Sequence, residues 1–117
     1  MKYKDILDKK VIFEENLGDK YYWDYRIIVQ IDENNIVLIE YEDSYSGWLP
    51  FAVETVDKEF ISSFFDTYGD KNRKVKLNYE SADKLEDLID FRYDEGDLEE
   101  EIIVLELNDI KDYIMED

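Results

Sequence analysis

Residues 21–41, YYWDYRIIVQIDENNIVLIEY, contain the pattern that decides the fold. From Tyr21 to Ile31 every second residue is aromatic or aliphatic, with Asp24, Arg26 and Gln30 among those between, and this alternation is typical of a β-strand with two different faces. Residues 32–35, DENN, are turn-forming, because asparagine tolerates the left-handed backbone of a tight hairpin. An apolar run at residues 36–41 follows. The stretch therefore predicts an antiparallel hairpin.

Weaker patterns flank the hairpin on both sides. The sequence predicts a short helix at residues 2–9 and helices at 57–68 and 81–93, capped by Asp57 and Ser81. A last short helix is predicted after its cap, Asp109. Further strands are predicted at residues 11–14, 51–53, 74–79 and 102–107. The predicted fold class is α+β: one domain over residues 1–117, with an antiparallel sheet of about five strands and two to three helices packed on it.

Negative charge dominates the composition and is unevenly distributed. The chain has 32 acidic and 14 basic residues and a net charge of −18. Residues 80–101 contain eleven acids and two bases, so half of the excess lies in 22 positions. Such a field repels phosphate backbones and anionic lipids, which argues against nucleic acid and membranes as partners. It also costs folding stability through self-repulsion, which favours a functional reason for the charge.

The missing residue types exclude several kinds of chemistry. Without histidine or cysteine the chain has no Ser-His-Asp or Cys-His nucleophile, no usual zinc site and no disulfide. Its four glycines are isolated, so no phosphate-binding loop is present, and no segment has the spacing of a calcium-binding EF-hand. We therefore expect no cofactor and no metal. With no apolar leader or spanning segment, the expected location is the cytoplasm.

Carboxylates are the chemistry that remains for an enzyme. A two-carboxylate hydrolase is one alternative, although 32 acids produce many pairs by chance. A metal-dependent nuclease is another, because Asp109-Ile110-Lys111 follows a predicted strand. In the competing interpretation Asp109 caps a helix and Lys111 is exposed on it. The negative field also repels a nucleic-acid substrate, so we expect no enzymatic activity.

Three interpretations of the acidic segment stay open: a solvated surface, a surface that binds a basic protein, and an imitation of DNA phosphates. In the second, carboxylates at helical spacing attract lysine and arginine and form charge-assisted hydrogen bonds on contact. Exposed tyrosines next to them are suitable anchors, while Trp48 fits either the core or an interface. The candidate partner-binding residues are Asp87, Asp90, Asp94, Glu95, Asp97, Glu99, Glu100, Tyr45 and Tyr22.

In size, composition and charge the chain resembles the small acidic immunity proteins of bacterial toxin systems, including contact-dependent growth inhibition. It is also similar in these respects to phage inhibitors of CRISPR and restriction enzymes. The first resemblance implies a cytoplasmic inhibitor that forms a one-to-one complex with a basic toxin, often a nuclease, and covers its active site. The second implies a DNA mimic. A carboxylate-based or metal-dependent hydrolase is the alternative from another class.

Overall fold

The alternating stretch forms the central hairpin of an antiparallel sheet. The protein is described here by a computed structural model covering residues 1–16, 23–44, 47–52, 58–66, 73–88, 99 and 101–115. Four strands follow one another in the sheet in sequence order, and a short fifth strand pairs with the start of the third. The strands are β1 (Lys10–Asn16), β2 (Trp23–Gln30), β3 (Asn35–Ser44), β4 (Gly47–Ala52) and β5 (Leu105–Glu106). The predicted α+β class is confirmed.

Asp32 organises the turn between β2 and β3. Its Oδ1 accepts hydrogen bonds from the backbone N–H of Asn34 at 2.9 Å and of Asn35 at 3.0 Å, and the Asn35 side-chain amide donates to both carboxylate oxygens. These donors, the Asn35 amide first, lower the pKa of Asp32. The DENN segment therefore closes the hairpin with the chemistry expected from its sequence.

Both faces of the sheet are covered by apolar residues. On the first face, Ile27 and Val29 of β2 lie in a cluster with Tyr3 and Ile6 near the N-terminus and with Leu85. The second face carries a cluster of buried residues from the sheet, from helix α1 (Lys58–Phe65) and from the C-terminal 3-10 helix (Leu107–Tyr113): Ile12, Ile28, Ile36, Leu38, Ile61, Phe64, Phe65, Val75, Leu77, Leu105 and Ile110. The alternation predicts that the second face of β2 is polar, but in the structure Ile28 on this face is buried.

A charged row crosses this second face. Arg26 is directly opposite Glu15 of β1 and Glu40 of β3 in the strand register. Its Nε lies 3.7 Å from Glu40 Oε1, and its Nη1 donates to the Phe64 carbonyl at 2.8 Å and to the Asp66 carbonyl at the end of α1. Arg26 therefore ties α1 to the sheet through carbonyls that the helix itself leaves unpaired.

The predicted elements outside the hairpin are confirmed to different degrees. The N-terminal helix is a 3-10 turn, Tyr3–Asp5, and the predicted helix at 57–68 contains α1. Residues 74–79 are not a strand of the sheet: Val75 forms an isolated bridge with Ile114, and Tyr79 is 46% exposed rather than buried. Helix α2 (Leu85–Leu88) lies inside the predicted 81–93 helix, whose residues 89–93 are outside the described part.

Asp109 was predicted to cap the last helix, but it lies inside the first turn of that helix. The C-terminal 3-10 helix starts at Leu107, and the Asp109 carboxylate accepts a hydrogen bond from the Glu106 N–H at 3.0 Å. Asp109 therefore stabilises the start of the helix from inside its first turn, where its charge is also favourable. Across the described ranges, no helix has the length and apolar character needed to cross a membrane.

Candidate functional site

The first half of the acidic segment is fastened to the outer edge of β1. Asn78 N–H donates to the Ile12 carbonyl at 2.7 Å, and Val11 N–H donates to the Asp83 carbonyl at 2.9 Å. Further along, the N–H groups of Leu85 and Glu86 donate to the carbonyls of residues 9 and 7, each at 3.0 Å. Leu85 is fully buried in the first-face cluster. These contacts give residues 78–86 a fixed backbone position beside the sheet.

One exposed carboxylate of β1 and four of residues 80–87 lie on these paired segments. We call these five the acidic surface: Glu14, Glu80, Asp83, Glu86 and Asp87. Asp87 Oδ2 accepts a hydrogen bond from the Lys84 N–H at 3.1 Å at the start of α2, where a negative charge is favourable. Within the described part of the chain, none of the five forms an ion pair. Their charges are therefore available to a partner.

Within the acidic surface, Glu14 has a shifted pKa. Partial burial of its carboxyl, and then the negative charge of Asp83, raise the pKa of Glu14. Two bases, Lys10 and Lys84, are bridged to each other beside these carboxylates, and the Lys10 ammonium donates a hydrogen bond to the Tyr79 carbonyl at 2.6 Å. The surface is thus only partly neutralised by its own neighbours.

Glu99 has quite different surroundings. Its two carboxylate oxygens accept hydrogen bonds from the Lys2 ammonium at 3.0 Å and the Lys4 ammonium at 3.1 Å, and these lysines lower the pKa of Glu99. Nearby, Glu101 pairs with the N-terminal amine at 3.1 Å, and Ile102 N–H donates to the Met1 carbonyl at 2.8 Å. The predicted partner-binding residue Glu99 therefore holds the N-terminal segment, although it remains exposed.

The other predicted site residues divide into two groups. Asp87 is exposed and belongs to the acidic surface. The rest lie outside the described residues: Asp90, Asp94, Glu95, Asp97, Glu100, Tyr22 and Tyr45. The backbone of Trp48 lies in β4, and its side chain is outside the described part as well, so the choice between core and interface stays open.

Of the acidic surface, only Asp87 was among the predicted binding residues, and two residues of the site, Glu14 and Tyr79, lie outside the acidic segment altogether. Glu14 is 69 positions away from Asp83, and only the pairing of β1 with residues 78–85 brings them together. Tyr79 is one of three large hydrophobic residues that are exposed in the described ranges, and it directly precedes the acidic Glu80. A signal for Tyr79 existed in its neighbours Asn78, Glu80 and Ser81, which are turn-forming or polar rather than strand-forming.

The metal-dependent alternative has no matching group of side chains in the described ranges. Those ranges contain no cluster of three or more acidic residues arranged to hold a metal ion. In Asp109-Ile110-Lys111, the carboxylate is used by the helix and Ile110 is fully buried. The described residues form an exposed charged surface on a rigid support.

Comparison with known proteins gives no relative: no protein-family model, no curated protein and no solved structure matches this chain.

Proposed function

We propose that this chain is an acidic protein inhibitor of the immunity type, which acts in the cytoplasm and binds a basic, nuclease-type toxin one-to-one over its active site. The observation that carries the proposal is the acidic surface: five exposed carboxylates without ion pairs in the described residues, on a backbone fixed to β1. A rigid support reduces the entropy that ordering a charged segment costs on binding. The surface therefore has the properties of a preformed binding face.

The proposed mechanism has two steps. The negative field first steers a cationic partner toward the surface and raises the association rate. On contact, Lys and Arg side chains of the partner form charge-assisted hydrogen bonds with Asp83, Glu86 and Asp87. Occupation of the toxin's substrate groove is then sufficient for inhibition, and no catalytic group is required of this chain.

Apolar contacts complete the proposed interface. Tyr79 supplies an exposed aromatic ring next to the carboxylates, and aromatic anchors of this kind carry much of the binding energy in protein complexes. The ring also accepts cation–π contacts from arginine. The proposal keeps Tyr22 and Tyr45 as further anchors and includes the remaining acids of the segment, which are Asp90, Asp94, Glu95, Asp97, Glu99 and Glu100.

The first experiment is co-expression of this chain with the product of the neighbouring gene. Rescue of growth and a one-to-one complex in solution are the expected results. The association rate should fall steeply between low salt and about 0.5 M salt, because exposed charges are screened over about 10 Å at 0.1 M. No rescue and no complex would contradict the proposal. Competition with DNA for several unrelated enzymes would instead favour a DNA mimic.

Paired variants test the surface itself. Exposed ion pairs contribute about 0.2–1 kcal/mol each, so we expect Asp83→Asn with Glu86→Gln to weaken toxin binding by about two- to thirty-fold. The matched control is Glu33→Gln with Asp112→Asn, which removes the same charge from exposed positions outside the acidic surface. Equal loss in both pairs would mean that only the overall charge matters, and would refute the assigned surface.

A further inference from the structure

An open pocket whose lining includes two lysines, in contrast to the acidic surface, lies beside the C-terminal 3-10 helix. It is lined by Lys74, Lys111, Asp112, Ile114 and Met115. Two backbone hydrogen bonds hold its sides together, from Val75 N–H to the Tyr113 carbonyl at 2.8 Å and from Met115 N–H to the Val75 carbonyl at 2.9 Å. The pocket is thus formed by two segments that are distant in sequence and bridged in parallel at residues 75 and 114.

The support beneath the pocket belongs to the hydrophobic core. Val75 and Ile110 are buried, and the Tyr113 ring stacks on Phe65 with centroids 4.7 Å apart and planes 4° apart. Residues 74 and 111 are neighbours in sequence of these buried residues. The backbone positions of both lysines are therefore fixed by packing, although their ammonium groups are in solvent.

Four basic side chains that the structure describes form ion pairs with acids. Lys2 and Lys4 pair with Glu99, and Arg26 and Arg73 pair with Glu40 and Glu15. Neither Lys74 nor Lys111 forms an ion pair with another described residue, and Asp112 is the one acid among the described residues of the pocket lining. In a chain with 32 acids, the described lining thus contributes two positive charges and one negative charge.

The rest of the lining and the field of the whole chain limit what fits. Met115 is 54% exposed and Ile114 is half-buried, so one wall is apolar. A polyanion such as nucleic acid extends beyond the pocket into the field of a molecule with a net charge of −18, which repels it. We propose that the pocket binds a small organic anion, with a carboxylate or phosphate group between Lys74 and Lys111 and a compact apolar body against Met115.

The test is a titration of the intact 15N-labelled chain followed by amide chemical shifts. The probes are benzoate and phenyl phosphate, with inorganic phosphate and neutral benzyl alcohol as references. We expect saturable shifts centred on Val75, Lys111 and Met115 for the two organic anions. The stronger of the two identifies carboxylate or phosphate as the preferred group. Shifts that do not saturate, or that benzyl alcohol reproduces, would overturn the proposal.

Variants separate this site from general attraction to lysines. Loss of two charge-assisted hydrogen bonds in Lys74→Gln with Lys111→Gln should weaken binding of both organic anions by about tenfold or more. The matched control, Lys76→Gln with Lys84→Gln, removes two exposed lysines that do not line the pocket. Met115→Ser should weaken the organic anions and leave inorganic phosphate unchanged. An equal effect of the control pair would refute the pocket.

Discussion

Arg26 connects three parts of the molecule through one guanidinium group. It lies between Glu15 and Glu40 in the strand register and donates to the carbonyls of Phe64 and Asp66 at the end of α1. Cationic donors are favourable at a helix C-terminus, where carbonyls lack partners within the helix. The sequence pattern places Arg26 on the polar face of a strand, and in the structure this residue attaches helix α1 to the sheet.

Glu14 and Glu99 have shifted pKa values of opposite sign, with opposite consequences for stability. Lys2 and Lys4 lower the pKa of Glu99, so its stabilising contribution is present above the unfolded pKa and is lost as the pH falls through the folded pKa. Burial and Asp83 raise the pKa of Glu14. The folded chain then binds more protons at that site, and ionised Glu14 costs stability as the pH rises through its folded pKa.

We predict that Glu14→Gln stabilises the protein at pH 7, because it removes a partly desolvated charge that Asp83 repels. The gain should be small, about 0.5 kcal/mol or less, as is usual for surface positions. It should disappear near about pH 3, where Glu14 is protonated in both the folded and the unfolded state. Urea unfolding at the two pH values measures this, with Glu33→Gln as the exposed control. A loss of stability at pH 7 would contradict the prediction.

At the scale of elements, stacking of two aromatic rings joins α1 to the C-terminal 3-10 helix. Phe65 contacts the Phe64 ring edge-on with centroids 5.0 Å apart and stacks on Tyr113 at 4.7 Å. The Phe65–Tyr113 contact joins the two helices over the second face of the sheet, where Phe64 and Phe65 are both buried. The apolar stripe of α1 predicted which side of the helix is buried. The stacking partner of Phe65, Tyr113, is 48 positions away in sequence, so this contact is known only from the folded structure.

We predict that Phe65→Ala lowers the free energy of unfolding by about 3–5 kcal/mol, the usual cost of removing a buried phenylalanine. Both ring contacts are lost and a cavity forms beneath α1. Tyr79→Ala is the matched control: it removes an aromatic ring that is 46% exposed and should change stability by about 0.5 kcal/mol or less. Urea unfolding of both variants measures the difference. A similar loss in both would mean that the Phe65 ring is not part of the core.

The elements show how far the sequence predicts the site. The hairpin and the inward stripe of α1 are predictable, because a period of two and a period of 3.6 are local properties. The β-bulge between Val11 and Phe13 is not predictable from such local patterns. The extra residue puts Glu14 opposite Ile27 on the first face and Glu15 opposite Arg26 on the second, the reverse of strict alternation from Val11. The bulge therefore decides that Glu14 joins the acidic surface.

At the scale of the whole molecule, a net charge of −18 acts against folding through self-repulsion. In the described ranges the ion pairs involve five cations, so most carboxylates are not neutralised by them. The cost is distributed over the surface and is not removed by any single substitution. A surface of this charge thus lowers the stability of the folded chain.

We predict that sodium chloride raises the melting temperature between about 10 mM and 0.5 M, because the Debye length falls from about 30 Å to a few Å over this range. Screening also weakens the exposed pairs of Lys2 and Lys4 with Glu99, but exposed pairs contribute little. Circular dichroism at several salt concentrations measures the change, and potassium chloride at the same ionic strengths should give the same rise, because screening depends on ionic strength. A melting temperature that falls with salt would contradict net repulsion.

The sequence by itself determined the α+β class, the central hairpin with its DENN turn, and a strongly acidic segment after residue 79. These follow from local periodicity, turn chemistry and charge, which need no knowledge of distant contacts. Only the tertiary structure decided which acids share a surface, that Glu99 is occupied by Lys2 and Lys4, and that Lys74 and Lys111 line one pocket. The reason is that strand register, bulges and packing are settled by contacts between residues far apart in sequence.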